Sequence, residues 1–579
     1  MEKFNRAFFR DAWRIMSPYW KGRERWSAYG LIAVVVGLTF AMVYLSVRIT
    51  IWYRGFYDAL QHYNEPRFWS DMLTFGWLAA LFIFSSVYRT YLREMLEIRW
   101  RRWMTGSYLT HWLSLRTYYH MQILSDTTDN PDQRIADDIS AFIRGTLQIM
   151  LGLLSALVTI GSYIGLLWAL SSHLIVPFRG QDWTISGYLV WAALIYSVIG
   201  TALITHIGRP LIGLNFNQQR YDADFRFGLV RVRENPESIA LYGGEEHEHR
   251  TLMGRFTQIF TNYWRIMVRT KLLNWFSSGY SQIAIIFPFL VVAPSYFLAH
   301  LGMGLIIEVS SAFGGVQGGL SYIVTSYAEL AVWHAVVDRL AGFTQHIEQT
   351  RKRAPGVGHI THTDDGNFLY VERLTLQAPD GRPLLTDLSV RMTPGDSMLL
   401  TGPSGSGKST LLRAVAGIWP FGNGKITRPP RSESLFLPQK PYLPLGSLRD
   451  ILLYPHGAAD TSTEVLSAAL RAVNLERLIP ALDEDRPWSL ILSLGEQQRL
   501  AFARILLQKP RWIYMDEATS ALDEPAEEGL YTLLRRDLPD STVVSVGHRS
   551  TLLQYHRMRL HLNGAGGWRL ATPEAQAAP

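Results

Sequence analysis

The chain has 579 residues, which is too long for a single hydrophobic core, so two or more domains are expected. It contains no cysteine, and this excludes disulfides, thiolate catalysis and cysteine metal sites. The formal net charge of +7 is modest and comes mainly from arginines close to long apolar runs, a pattern that favours a membrane protein with basic flanks over a nucleic-acid-binding protein.

Nearly all long apolar runs lie between residues 28 and 330, and a bilayer core about 30 Å thick requires about 20 apolar residues of helix. We therefore predict an all-α transmembrane domain over residues 1–342. The predicted spans are 29–52, 72–91, 147–170, 186–207, 279–300 and 304–328. The sixth is the least apolar, because it contains Glu308, Gln317 and many glycines and serines.

Basic residues indicate how these spans are oriented. They cluster in the N-terminal segment and in the two long stretches that follow spans two and four, whereas no lysine or arginine occurs from Leu272 to Asp338. The positive-inside tendency then places these basic stretches and both termini in the cytoplasm. An even number of spans is consistent with this arrangement.

Each of the two long basic stretches contains an Asn-Pro pair, Asn130-Pro131 and Asn235-Pro236, followed by a helical pattern. We predict helices that continue beyond the bilayer and are joined by turns that contact the soluble domain. The alternative is that these segments are ordinary loops.

The polar residues of the sixth span suggest a hydrophilic substrate passage. An acidic side chain within a membrane is costly and usually faces protein or water. The predicted lining residues are Glu308, Gln317, Ser321 and Thr325. Two alternatives remain open: Glu308 lies at the outer interface, or the polar residues form contacts between helices.

A linker at 343–366 precedes a soluble domain at 367–563, and a flexible tail is predicted at 564–579. Three alternating apolar segments predict strands, and the last leads into GPSGSGKST and a helical pattern. This is the phosphate-loop pattern, in which glycines let backbone N–H groups face phosphates, Lys408 reaches the β and γ phosphates and the Ser409 hydroxyl binds Mg²⁺. The predicted ATP-binding residues are Gly402, Ser404, Gly405, Ser406, Gly407, Lys408, Ser409 and Thr410.

Further candidate residues follow predicted strands. Asp516 ends the buried strand of RWIYMDE, where it can hold Mg²⁺, and Glu517 can polarise the attacking water. The alternative is a solvated acidic pair. His548, after TVVSVG, is placed to contact the γ-phosphate, and Gln439, after SLFLP, can sense Mg²⁺ and water.

The segment LSLGEQQR begins a helical pattern with Ser493, Leu494, Gly495 and Glu496. Free N–H groups and the positive end of a helix dipole form an anion site there. Because this segment cannot also wrap the site made by its own phosphate loop, we expect it to cap the γ-phosphate held by a second copy. Two chains would then bury two ATP molecules head to tail.

The ordered set of GPSGSGKST, Gln439, LSLGEQQR, YMDE, SALD and His548 resembles the nucleotide-binding domain of ABC transporters. With six spans ahead of it, the chain resembles an exporter-type half-transporter. Leu494 and Glu496, together with EIRWRRWMTGSYL, YYHMQ and DNPDQRIADDI, are similar to the BacA/SbmA-like and YddA-like bacterial group. The same features resemble peroxisomal subfamily D half-transporters and the mycobacterial importer of cobalamin and other hydrophilic solutes.

This resemblance implies an exporter-type transmembrane domain fused to an α/β P-loop ATPase that uses ATP and Mg²⁺, with Ser520 and Asp523 in the D-loop. It implies a homodimer in the bacterial inner membrane that works by alternating access and has no nucleic-acid partner. We expect uptake of a small hydrophilic substrate such as cobalamin, a peptide or a glycopeptide. The alternatives are export of a lipid, acyl-CoA or drug-like substrate, and a membrane-anchored regulatory ATPase. Ala378 and Pro379 stand where many family members place an aromatic residue against adenine.

Overall fold

The computed structural model describes residues 6–124, 130–171, 176–178, 181–183, 186–299, 302–353, 359–364, 366–456 and 461–571. The chain divides into two compact units. The first comprises Met1–Thr110 and Asp129–Thr344, and the second comprises His111–Thr128 and Gln345–Pro579. The segment His111–Thr128 thus belongs with the soluble part of the chain, although the sequence analysis included it in the transmembrane domain at 1–342.

Long helices form the first unit, as the extended apolar runs and the helical patterns beside them predict. In chain order, the long helices and the short ones between them are α1 (Arg6–Lys21), α2 (Arg25–Gln61), α3 (Glu65–Leu113), α4 (Thr117–Leu124), α5 (Pro131–Gln133), α6 (Ile139–Ser171), α7 (Tyr188–Glu234), α8 (Pro236–Tyr242), α9 (Glu245–Ala299) and α10 (Met303–Arg353). Helix α4 is among them by position but belongs to the second unit. A short hairpin of β1 (Val176–Phe178) and β2 (Gln181–Trp183) precedes α7. At about 1.5 Å per residue, the 55 residues of α9 extend far beyond a bilayer core.

Five helical segments among the described residues are long and apolar enough to cross a membrane. These segments are Arg25–Gln61, Glu65–Ile123, Pro131–Ser171, Tyr188–Glu234 and Glu245–Phe297. The first five predicted spans are therefore confirmed as apolar helices, whereas α10, which contains the predicted sixth span, does not meet this criterion. Its apolar face, including Val309, Phe313 and Val316, is buried in a core with α6, α7 and α9, so it packs mainly against protein.

Glycines allow α10 to approach α6 closely. A Cβ atom on Gly315 would lie 2.4 Å from the Tyr163 ring, and one on Gly319 would lie 2.6 Å from Ile160. Small residues at such contacts let helix backbones pack where larger residues would separate them. The glycine content that weakens the apolar signal of this span is thus part of its packing.

The second unit contains two sheets with helices. Its remaining elements are β3 (His359–Thr363), β4 (Leu369–Gln377), β5 (Pro383–Met392), β6 (Ser397–Thr401), α11 (Lys408–Val415), β7 (Gly422–Thr427), β8 (Ser434–Leu437), α12 (Leu448–Leu453), α13 (Thr463–Ala472), α14 (Trp488–Ile491), α15 (Leu494–Gln508), β9 (Trp512–Asp516), α16 (Glu524–Asp537), β10 (Thr542–Val546), β11 (Met558–Leu562) and β12 (Trp568–Ala571). The sheet orders are β12-β11-β6-β10-β9-β8 and β3-β7-β4-β5.

Strands β11, β6, β10, β9 and β8 are parallel, and the apolar faces of β6, β9 and β10 are buried. Their carboxyl ends therefore meet at one edge of the sheet, where ligands bind in open α/β folds. The three predicted strands before the phosphate loop are confirmed as β4, β5 and β6.

Two predicted boundaries need correction. Part of the linker predicted at 343–366 is regular structure, because α10 continues to Arg353 and β3 begins at His359. Part of the flexible tail predicted from 564 is a strand, since β12 pairs antiparallel with β11. Residues 572–579 of that tail lie outside the described residues. The two strands were missed because their pairing with β7 and β11 is supplied by other segments of the chain, whereas the end of α10 was missed because its last turns are polar.

Arg504 connects α15 to the segment that carries α12. Its Nε donates to the Ile451 carbonyl at 2.8 Å and a terminal N–H donates to the Tyr442 carbonyl at 2.9 Å. Burial lowers the pKa of Arg504 to about 10. The guanidinium therefore satisfies backbone groups that would otherwise lose their hydrogen bonds inside the unit.

We expect Arg504→Met to lower the free energy of unfolding of the second unit by about 2–4 kcal/mol, because each unsatisfied buried polar group costs about 1–3 kcal/mol. Thermal unfolding of the purified full chain measures this change. Arg557→Met, at an exposed position, is the matched control. An equal effect of the two substitutions would contradict the structural role of Arg504.

Candidate functional site

The phosphate loop begins where β6 ends and leads into α11. Its glycines 402, 405 and 407 have φ angles of 141°, 77° and 95°, which favour residues without a Cβ atom. A Cβ on Gly402 would lie 2.2 Å from the Leu562 carbonyl oxygen. The loop therefore needs glycine at this position and presents backbone N–H groups at the start of a helix, an arrangement suited to phosphate.

Lys408 lies within this loop. Its Nζ donates to the carbonyl oxygens of Gly402 and Pro403, both at 2.9 Å. Burial lowers the pKa of Lys408, and the charges of Glu517 and Asp516 oppose that shift. The Ser406 hydroxyl is buried and has no hydrogen-bond partner among the described residues. An ammonium group and an unsatisfied hydroxyl in a glycine-rich loop fit a polyphosphate.

Ser409 and Asp516 form a pair of oxygen groups beside the loop. The Ser409 hydroxyl donates to Oδ1 of Asp516 at 2.7 Å. Burial raises the pKa of Asp516, and the hydrogen bond from Ser409 opposes that shift. A hydroxyl and a carboxylate at one point are the hard oxygen ligands that Mg²⁺ takes in nucleotide sites, so these residues fit the cation.

Three candidate catalytic residues converge at the ends of β8, β9 and β10. Gln439 donates from Nε2 to one Glu517 oxygen at 3.0 Å, and the His548 ring Nε2 lies 3.3 Å from the other. The φ angle of Glu517 is 48°, and its backbone N–H donates to the Val546 carbonyl at 3.2 Å. The carboxylate is thus oriented from two sides, as a general base requires.

Gln498 is a positioning residue that sequence reasoning missed. Its side-chain amide is buried and donates to the Gln439 carbonyl at 3.0 Å and to Ser520 Oγ at 3.3 Å. Its oxygen accepts from the Ala521 N–H at 3.0 Å. The same side chain therefore contacts the Gln439 and D-loop segments. The available signal was its place in LSLGEQQR, on the buried face of the helix.

A capping box organises the start of α15. The Glu496 carboxylate accepts from the Ser493 N–H at 2.9 Å, and Ser493 Oγ accepts from the Glu496 N–H at 3.3 Å. Glu496 is also paired with Arg477. Burial opposes ionisation, but hydrogen bonds from Arg477 and Ser493 hold the pKa of Glu496 below its ordinary value. The negative charge of Glu496 is therefore paired with Arg477 of the same chain.

The capping box distinguishes the four residues from Ser493 to Glu496. The N–H groups of Ser493 and Glu496 are engaged within the box, whereas those of Leu494 and Gly495 take no part in it. A Cβ on Gly495 would lie 3.1 Å from the Ala521 carbonyl oxygen. Asp523 of the D-loop accepts from the Ala526 N–H at 3.0 Å and caps α16.

The remaining predicted nucleotide residues fall in or beside the loop: Ser404 and Gly405 are exposed, and Thr410 is buried in α11. Ala378 and Pro379 occupy the position where many family members place an aromatic residue against adenine. The Ala378 N–H donates to the Arg382 carbonyl at 2.8 Å within a turn, and Pro379 is exposed.

Helix α4, which contains YYHMQ, packs within the second unit. Arg116, just before it, donates to the carbonyl oxygens of Ala416 and Gly417 at 3.2 and 2.9 Å. Ile123 packs against the apolar core of the ATPase sheets. The contact predicted for the first basic stretch therefore includes residues that precede Asn130.

The first unit contains an open cavity of about 520 Å³ between α2, α3, α6 and α10. Its wall includes hydroxyl groups, two arginines and glycines beside apolar surface. The lining residues are Thr39, Ser46, Arg89, Thr90, Arg93, Gln148, Leu151, Gly152, Ser155, Ala156, Thr159, Tyr163, Gly314, Gly315, Gly318, Gly319 and Tyr322. The helix of the predicted passage thus contributes a glycine face to this wall.

None of the four predicted passage residues is among the described lining residues. Glu308 is buried 3.6 Å from an Arg54 nitrogen, and Gln317 hydrogen-bonds the Tyr280 side chain. Ser321 is half-buried, and the side chain of Thr325 lies outside the described part. The described lining of this cavity on α10 is therefore formed by residues other than those predicted for the passage.

Comparison with known proteins agrees with both units. Residues 13–297 match the family model described as ABC transporter transmembrane region 2, and residues 385–520 match the model described as ABC transporter. The inner membrane ABC transporter ATP-binding protein YddA of Escherichia coli is 33% identical, over 92% of this chain and 94% of the relative.

Two further relatives come from eukaryotes. ABC transporter D family member 2, chloroplastic, of Arabidopsis thaliana is 34% identical over 99% of this chain and 89% of the relative. The human lysosomal cobalamin transporter ABCD4 is 28% identical, over 82% of each chain. The chain thus carries a membrane domain followed by an ATPase site with a phosphate loop, a pair of oxygen ligands and an oriented carboxylate. It belongs to the ABC transporters, membrane proteins whose ATPase activity is coupled to transport.

Proposed function

We propose that two copies of this chain form a transporter that takes up a hydrophilic solute across the bacterial inner membrane. The observation that carries the proposal is the cavity in the first unit, whose wall combines apolar surface with two guanidinium groups and several hydroxyl groups. Two guanidinium groups favour a solute that carries polar or charged groups over a purely apolar one. One relative, the human lysosomal cobalamin transporter ABCD4, is named for a hydrophilic solute, which also supports this proposal.

Hydrolysis uses groups from both copies. Lys408 and the N–H groups of the phosphate loop bind the β and γ phosphates, while Leu494 and Gly495 of the second copy donate N–H groups to the γ-phosphate. Glu517 accepts the proton of the attacking water, and Gln439 and His548 hold its carboxylate in position. The Ser409 hydroxyl and the Asp516 carboxylate would hold Mg²⁺, and a bound cation would supply charge neutralisation to the phosphates.

Binding of two nucleotides closes the paired ATPase domains, and hydrolysis reopens them. Helix α4 moves together with the ATPase domain, because Arg116 and Ile123 contact that domain. This connection carries closure to the membrane helices. The distribution of basic residues supports cytoplasmic ends for the chain.

Vesicles of known orientation test this proposal. The full chain is placed in inside-out and right-side-out vesicles with ATP on the cytoplasmic side, and labelled cobalamin, a labelled hydrophilic peptide and a labelled lipid are supplied. We expect ATP-dependent movement of a hydrophilic probe toward the cytoplasmic side. Movement of a probe away from the cytoplasmic side would replace uptake by export. Movement of the lipid alone would contradict a hydrophilic substrate. Hydrolysis without movement of any probe would indicate a regulatory ATPase.

Gly318→Leu provides a steric test of the route. A Cβ at Gly318 meets no neighbouring atom within 4 Å, so a leucine there would project into the cavity without disturbing helix packing. We expect ATP-dependent uptake to fall at least about tenfold, since a bulky group within a binding site costs at least ~1–3 kcal/mol. Gly342→Leu, also on α10 and without a neighbour within 4 Å, is the matched control. Equal transport by both variants would exclude this cavity from the route.

A further inference from the structure

The wall of the cavity carries net positive charge. Arg89 and Arg93 lie one helical turn apart on α3, and both line the cavity. The described lining residues include no aspartate or glutamate. Two guanidinium groups remain charged at any physiological pH, so the cavity has a positive potential that no wall residue neutralises.

Arg93 lacks a full set of protein partners. Its Nε atom is buried and has no hydrogen-bond acceptor among the residues that the structure describes. Two carboxylates close to this region are engaged by other residues: Glu97 accepts from Arg144 at 3.2 Å, and Glu329 accepts from Gln148 at 2.9 Å. Glu94, the residue after Arg93, is exposed and lines a neighbouring cavity with Arg93 and Glu97. Arg93 is half-buried, and an arginine in a membrane helix whose buried Nε lacks an acceptor is costly and typically marks a functional site.

The opposite walls supply hydroxyl groups and space. Ser46 is on α2, Ser155 on α6 and Tyr322 on α10, and each lines the cavity. Tyr322 donates to the Gln148 carbonyl at 3.2 Å, which orients its ring beside the cavity. Gly314 and Gly318 leave the wall open, because a Cβ on either residue meets nothing within 4 Å. The cavity thus combines cations on one wall with neutral hydrogen-bonding groups on the others.

We propose that this cavity binds an anionic hydrophilic solute through carboxylate or phosphate oxygens held by Arg89 and Arg93. The inference rests on the proposed transport function and specifies that the transported solute is negatively charged. Guanidinium groups match the geometry of carboxylates and phosphates and form paired hydrogen bonds with them. The hydroxyl groups of the facing helices bind the uncharged part of the solute.

The absence of cysteine makes a direct measurement simple. Ser155→Cys places one thiol in the cavity wall, and Ser70→Cys places one at an exposed position of α3. Each full-length variant, in phosphatidylcholine nanodiscs without ATP, reacts with an anionic sulfonatoethyl methanethiosulfonate and a cationic trimethylammonioethyl methanethiosulfonate. The anionic-to-cationic rate ratio at each thiol reports the local potential.

We expect this ratio to be at least about tenfold higher at position 155 than at position 70, because a cleft of one charge sign concentrates ions of the opposite sign. In the Ser155→Cys background, Arg89→Gln with Arg93→Gln should abolish the excess, whereas Arg67→Gln on the same helix should preserve it. Equal ratios at the two thiols, an excess that survives loss of both arginines, or no reaction at position 155 would overturn the proposal.

A second arm distinguishes a soluble anion from a lipid headgroup. Millimolar citrate should slow the reaction of the Ser155→Cys thiol with an uncharged methanethiosulfonate, while sucrose should not. Phosphatidylglycerol in the nanodisc should leave that rate unchanged. Slowing by phosphatidylglycerol, or failure of citrate to protect, would overturn the assignment to a soluble anion. Because no ATP is present, these results stand apart from any failure of the transport assay.

Discussion

Glu517→Gln is expected to leave ATP binding intact and to lower hydrolysis about 10²–10⁴-fold, the contribution typical of a general base. Glutamine retains the shape of the side chain, so the contacts from Gln439 and His548 have a partner of similar geometry. It cannot accept the proton of the attacking water. Bound nucleotide therefore accumulates, and the paired ATPase domains remain closed.

Phosphate release by the purified full chain measures hydrolysis, and nucleotide retained after gel filtration measures trapping. Glu476→Gln, at an exposed position of the same unit, is the matched control and should hydrolyse ATP at the normal rate. Normal turnover by Glu517→Gln would remove this residue from the role of base. Loss of nucleotide binding would instead indicate a structural role.

Lys408→Ala is expected to weaken ATP binding about 10- to 100-fold and to abolish transport, since hydrogen bonds to a charged group contribute about 1.5–3 kcal/mol. Lys408 is 5% exposed, and its Nζ donates to the Gly402 and Pro403 carbonyls of the loop at 2.9 Å. Binding of a fluorescent ATP analogue to the full chain measures the loss of affinity.

Lys440→Ala is the control for this substitution, because Lys440 is exposed and outside the phosphate loop. Its affinity for the analogue should match that of the unchanged chain. Unaltered ATPase activity in Lys408→Ala would contradict the assignment of the phosphate loop.

The ATPase domain was largely predictable because its chemistry requires particular residues at particular spacings. The stretch from Gly402 to Thr410 has to combine glycines at positive φ, a lysine and a magnesium-binding hydroxyl between a strand and a helix. Such a pattern seldom occurs by chance, so it indicated the nucleotide-binding fold, and the ordered motifs that follow it indicated the family. The first five membrane spans were predictable for a simpler reason, since a run of about 20 apolar residues is typical of a helix that crosses a membrane.

The membrane cavity could not be predicted in the same way. Polarity in α10 drew attention to Glu308 and Gln317, whereas the cavity wall uses the glycines of that helix and arginines of α3. Which side of a helix faces a cavity depends on how neighbouring helices pack. A single sequence does not contain that information when the helix is polar on several sides.

Sequence alone therefore determined the class of this protein: apolar runs long enough for a membrane, followed by residue spacings that phosphate chemistry demands. Tertiary structure decided which side chains act together. It oriented Glu517 with Gln439 and His548 and attached α4 to the ATPase core. It also gathered Arg89 and Arg93 with the hydroxyl groups of other helices around one cavity. The reason is that local spacing is encoded in neighbouring residues, whereas contacts between distant segments arise only from the packing of the folded chain.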